Sequence, residues 1–140
     1  MEYRRFDHTI VLRLDKGEEL HEQIFALIRK ENIRLATVTG IGATDDAVVG
    51  VYDVAAKKYT ETHLYGENME IVNLTGSINT MEGKPYDHIH ITCAKAGAMP
   101  VGGHLLSARI SLTAEIFITV IDGSVDRVYD PDMGINILKF

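Results

Sequence analysis

Thr9-Ile10-Val11-Leu12-Arg13-Leu14 runs straight into Asp15-Lys16-Gly17-Glu18-Glu19-Leu20-His21-Glu22-Gln23-Ile24-Phe25-Ala26-Leu27-Ile28-Arg29-Lys30-Glu31-Asn32, and the hydrophobic period changes once on the way. The first six residues are apolar and β-branched in the manner of a strand. From Leu20 the apolar positions recur at Ile24, Leu27 and Ile28, a single stripe at helical spacing, while Glu19, Glu22, Gln23 and Lys30 fall on the other side. Asp15 with Glu18 three residues later has the form of a helix start. Arg29 and Lys30 suit the negative end of the helix dipole, and Asn32 tolerates the left-handed backbone that ends a helix. The spacing therefore predicts one long helix between Asp15 and Asn32.

No comparable stripe follows. The runs 35–39, 47–54, 59–64, 69–79, 88–94, 111–120 and 124–129 are rich in Val, Ile, Thr and Tyr and are separated by Gly, Asn and Asp, so they read as strands. Short links such as Asp122-Gly123 favour antiparallel hairpins. Gly40-Ile41-Gly42-Ala43-Thr44 has a phosphate-loop look, but Asp45-Asp46 and another strand follow it instead of a helix, so it reads as a turn. The expectation is an α/β protein of the α+β type: a central, largely antiparallel or mixed β-sheet with one long helix packed on it.

The bulk numbers bound the function. A chain of 140 residues, 46% apolar and 24% charged and without a linker-like stretch, is expected to form a single domain over residues 1–140. No apolar run approaches the roughly 18 residues of a membrane span, and MEYRRFDHTI lacks a signal-peptide core, so a cytoplasmic, membrane-free protein is expected. Cys93 stands alone and can form no internal disulfide, in accord with a reducing compartment. The net charge of −6 opposes a polyanion, and Arg4-Arg5, Arg29-Lys30 and Lys57-Lys58 read as solvated faces or turns. Direct nucleic-acid binding by the isolated chain is not expected.

Chemistry concentrates in the histidines. His88 and His90 alternate in a strand-like run, which puts both imidazoles on one face about 7 Å apart at Cα. His104 follows Gly102-Gly103, which can bend a loop back toward that strand. Three imidazoles are a common set for a divalent metal such as zinc, with one coordination position left open. Two surface or packing histidines are the alternative reading of His-Ile-His by itself. Ile89, Ile91 and Cys93 share the opposite face and are expected in the core. Glu115 fits either a supporting carboxylate or a solvated one, and Asp87 falls on the other face from His88. His8, His21 and His63 have no partner by spacing and read as surface residues. The stretch from Gly83 to His90 is one residue short of a cupin motif and lacks its Glu.

Four motifs in order make the chain similar to a known family. They are Leu12-Arg13-Leu14-Asp15-Lys16-Gly17-Glu18, Gly40-Ile41-Gly42-Ala43, Glu70-Ile71-Val72-Asn73-Leu74-Thr75-Gly76, and His88-Ile89-His90 with Gly102-Gly103-His104-Leu105. Over nearly its whole length the chain resembles the plant-and-prokaryote-conserved (PPC) domain, free-standing in prokaryotes and fused to AT-hooks in plants. The resemblance implies a largely antiparallel sheet, a homotrimer, and a metal on the three histidines. It also implies association with DNA or transcription complexes through partners, since no Arg-Gly-Arg-Pro hook is present. The family's Gly-Arg-Phe is Glu67-Asn68-Met69 here, so the partner contacts of plant members do not transfer directly. Two functions follow: a trimeric, metal-binding (zinc) interaction or regulatory module with a protein partner, or a metal-dependent enzyme using the open position of the three-histidine site.

Overall fold

The computed structural model describes residues 1–140. The elements are β1 (Glu2–Phe6), β2 (Thr9–Asp15), α1 (Leu20–Lys30), β3 (Ala36–Asp53), β4 (Lys58–Met81), β5 (Lys84–Ala94), β6 (Val101–Val120), β7 (Asp126–Asp130) and β8 (Ile135–Lys139). All ladders are antiparallel except that between β4 and β7, so the sheet is mixed. The strand order is β1-β2-β6-β3-β4-β7-β8, with β5 pairing both β4 and β6. Strands β3 to β6 thereby close a circuit of ladders, and the histidines lie on it.

The helix is shorter than the sequence predicts. It has 11 residues and begins at Leu20, with the Glu19 carboxylate accepting from the Glu22 N–H at 2.6 Å. Residues 15–19 are held by the sheet instead. The Gly17 N–H donates to the Ile110 carbonyl at 2.8 Å, the Ile110 N–H donates to the Glu18 carbonyl at 2.9 Å, and the Ala108 N–H donates to the Glu19 carboxylate at 2.8 Å. The Glu18 carboxylate still accepts from the Asp15 N–H at 2.8 Å, so the expected pairing exists but closes a turn. The far end matches the expectation. Asn32 has φ 52°, and the Ile33 N–H reaches the Ile28 carbonyl at 3.0 Å, a Schellman closure. Leu20, Ile24, Leu27 and Ile28 are fully buried, and the helix packs on β5 and β6.

The strands are longer than the separate runs suggest, because the breaks in sequence are bends. Straight, the 24 residues of β4 would reach about 80 Å, roughly twice the width of a domain this size. The expected turn at Gly40–Thr44 is part of β3 and is marked by register shifts between Gly40 and Gly42 and between Thr44 and Asp46. A Cβ on Gly42 would lie 2.7 Å from that of Ala114, so the glycine lets β3 and β6 close up where the strand bends. Asp122-Gly123 makes no hairpin. It carries the chain to β7, which runs parallel to β4 with Met81 opposite Arg127. One core of 25 buried residues gathers Ile10, Leu12 and Leu14 of β2, Ile116 and Ile118 of β6, and the helix stripe. No helix is long and apolar enough to cross a membrane.

Candidate metal centre

His88 and His90 stand on one face of β5, as their period of two requires. His104 arrives differently from expectation. Gly102, Gly103 and His104 belong to β6, which pairs with β5 so that His104 lies directly opposite His90 and Gly103 opposite Ile91. The glycines serve close approach and not a turn: a Cβ on Gly102 would sit 2.5 Å from the Ile91 carbonyl oxygen, and one on Gly103 would sit 2.7 Å from that of Gly50. The ring centroids of His88 and His90 are 5.1 Å apart, those of His88 and His104 5.1 Å, and those of His90 and His104 5.7 Å. One nitrogen from each ring lies within 4.8 Å of the others.

The electronic state of the cluster suits a cation. Burial, and next the neighbouring His104, push His88 down to about 4, and burial also lowers His104, with His90 beside it as the next cause. Both rings are therefore neutral at pH 7, the form that offers a lone pair. The His104 Nδ1 atom is buried without a hydrogen-bond partner. A buried polar atom left unpaired costs about 1–3 kcal/mol, a cost that coordination at that atom would offset. The residues present thus fit a divalent metal.

A cavity of about 560 Å³ opens onto the cluster. The Tyr59 ring stacks on His104, with centroids 5.0 Å apart and planes 20° apart, and meets Tyr52 edge-on at 5.3 Å. Gly50 makes room for this, since a Cβ there would lie 2.8 Å from the Tyr59 ring. Behind His88 lies Arg127, whose Nη2 is 3.5 Å from His88 Nδ1. Sequence reasoning missed Arg127 and the tyrosines. In Asp126-Arg127-Val128-Tyr129 nothing local marks a buried guanidinium; its burial comes from the parallel β4–β7 pairing.

Other expectations sort cleanly. Cys93 lies in the core with Ile89 and Ile91, and burial pushes its thiol up to about 11. Glu115 sits on β6 opposite Arg13, eleven residues beyond His104, and takes no part in the cluster. His21 and His63 do have partners: His21 Nε2 meets the Asp87 carboxylate at 2.8 Å and His63 Nε2 meets Asp46 at 2.7 Å. Asp87 occupies the face opposite His88, and its side chain is only 8% exposed. The hydrogen bond to Asp87 raises the pKa of His21.

Residues 1–122 match the model of the Plants and Prokaryotes Conserved (PCC, or PPC) domain. The chain belongs to this family. Among solved structures, a metal-containing protein from Archaeoglobus fulgidus is 33% identical, with TM-score 0.88 over 99% of this chain and 97% of that one. A PPC protein from Pyrococcus horikoshii is 26% identical, with TM-score 0.85 over 99% and 94%. A protein from Bacteroides thetaiotaomicron, provisionally named as DNA-binding, is 29% identical, with TM-score 0.95 over 99% and 96%. No curated protein sequence matches significantly. In this PCC domain the motif glycine Gly76 has a visible purpose: a Cβ there would lie 2.3 Å from the His88 carbonyl oxygen, so only glycine lets β4 approach the strand that carries the site.

Proposed function

We propose that this PCC-domain chain is a homotrimeric metal-binding module that holds one divalent ion, zinc by preference, on His88, His90 and His104, and acts in regulatory complexes through protein partners. The observation that carries this reading is the convergence of three imidazole nitrogens within 4.8 Å, one ring having a buried nitrogen without a partner. An all-imidazole set suits zinc, iron, nickel or copper and disfavours calcium or magnesium, which prefer oxygen. When bound, the ion would act as a Lewis acid toward whatever takes its open position. The similarity to a metal-containing protein supports the same reading. Elemental analysis of protein purified without added metal tests it: about one transition-metal ion per chain is expected, and none in the protein as purified or after zinc addition refutes it.

The trimer is supported by an apolar hollow on the sheet, lined by none of the three histidines, where Ile41, Val72 and Leu112 are each about half exposed. Closed cyclic packing would cover it. A second reading, a metal-dependent enzyme, is favoured by the 560 Å³ cavity over the cluster, because an interaction module needs no such space. Turnover that requires the bound metal would separate the two. Direct DNA binding is opposed by the net charge of −6. An electrophoretic mobility shift series across salt concentrations tests it, since phosphate contacts weaken steeply as salt rises.

A further inference from the structure

Arg127 is 8% exposed, yet no carboxylate pairs with it. Neutral groups hold it instead. Its Nε donates to Asn79 Oδ1 at 2.7 Å, its Nη1 donates to the Asn136 carbonyl at 2.7 Å, its Nη2 faces His88 Nδ1, and its guanidinium lies 4.8 Å from the Tyr86 ring centroid. A guanidinium has five N–H groups and stays charged at any accessible pH. Three are directed at these partners, which leaves two without a protein acceptor. Burying such a cation with no opposite charge is costly, and natural structures usually pair it.

The surroundings sharpen the point. The chain has 20 acidic residues, but none lines the cavity. Asp87, the carboxylate adjacent in sequence, points the other way to His21. By contrast, the similarly sized polar hollow around Lys16 and Ser111 carries a matched pair, Arg109 with Asp45 at 3.0 Å. The histidine cavity is thus a positive, acid-free space in an acidic protein, and the rest of its lining includes Tyr52, Tyr59, Tyr86, Tyr129 and Ile135.

We propose that this cavity binds a small organic carboxylate with a planar apolar or aromatic body, its carboxylate held by Arg127 and by the open position of the metal. The proposal deepens the metal-centre reading and rests on it for the second contact only. Arg127 supplies a charge-assisted hydrogen bond, the tyrosine faces receive the body, and the volume accommodates a molecule of modest size. Inorganic phosphate would satisfy the charge but leave the aromatic walls unused.

Calorimetric titration with benzoate, benzyl alcohol and inorganic phosphate tests this on zinc-loaded and metal-free protein. Benzyl alcohol keeps the ring and removes the charge. The zinc-loaded wild type is expected to bind benzoate at least about tenfold more tightly than either comparison compound. Arg127→Gln, assayed with zinc at saturation, should lose about tenfold in benzoate affinity. Metal-free wild type should keep a smaller preference for benzoate over benzyl alcohol. This arm separates the two readings: if the protein takes up no zinc, the metal centre fails, and the preference of the metal-free protein still decides the role of Arg127. Should Arg127→Gln lose its native circular dichroism, the wild-type comparisons decide alone. Equal binding of benzoate and benzyl alcohol, phosphate binding as tight as benzoate, or no benzoate binding by either form overturns the proposal.

Discussion

At the scale of single residues, the histidine cluster depends on neighbours that never touch an ion. Gly50 is the sharpest case, because the Tyr59 ring that stacks on His104 occupies the space of its missing side chain. Gly50→Val should displace Tyr59 and lower zinc affinity by about 10- to 100-fold, as loss of a supporting contact commonly does; competition with a chromophoric chelator measures it, and unchanged affinity would refute the dependence. Replacing His90 or His104 with Ala should strongly reduce zinc occupancy. His8→Ala is the proper control, since His8 is well exposed and remote, whereas His21 is tied to Asp87 beside the site. In the metal-free protein, protonation sets a two-sided pH dependence. His88 is lowered from 6.5 to about 4 and His104 is lowered too, so the unfolded chain binds more protons than the folded one between those values, and stability falls as pH drops from about 6.5 toward 4. The raised His21 acts oppositely: its contribution is complete below the ordinary histidine value and is lost as pH rises through the folded one. Thermal midpoints across pH 4 to 8 check this, with His88→Gln expected to flatten the acid limb and His21→Gln the alkaline limb.

At the scale of elements, the helix was legible and its beginning was not. The stripe Leu20, Ile24, Leu27 and Ile28 is fully buried, as its spacing predicts. Leu27→Ala should cost about 2–5 kcal/mol in denaturant unfolding by leaving a cavity against the sheet; a change below about 1 kcal/mol would show that the helix packs loosely. Residues 15–19 looked helical because Asp15 and Glu18 make a capping contact, but hydrogen bonds to Ala108 and Ile110 hold them against β6. Those partners are some 90 residues away, beyond the reach of any local rule. The strands show the same division. Runs of Val, Ile and Thr located at least part of each strand from β2 to β7, while Gly40-Ile41-Gly42 read as a break because glycine marks a turn and a bend equally. β1 and β8 escaped notice: β1 is largely charged, and both are five residues long and lie at the sheet edges.

At the scale of the whole molecule, the exposed apolar hollow around Ile41, Val72 and Leu112 points to self-association. Sedimentation equilibrium at micromolar concentration should give the mass of three chains, and Leu112→Glu should shift the equilibrium toward monomers, because a charge would be buried without a partner. A monomeric wild type would refute the trimer. The sequence by itself determined the balance of one amphipathic helix against many strands, the facing of His88 and His90, the core position of Cys93 and the acidic charge, because each follows from local period or from composition. Tertiary structure alone decided that His104 stands across from His90, that Arg127 is buried behind His88 without a counter-charge, and that Asp87, whose facing the alternation already gave, meets His21. These depend on which distant strands pair and in what register, a choice set by how bent strands close around one core, which no window of local sequence contains.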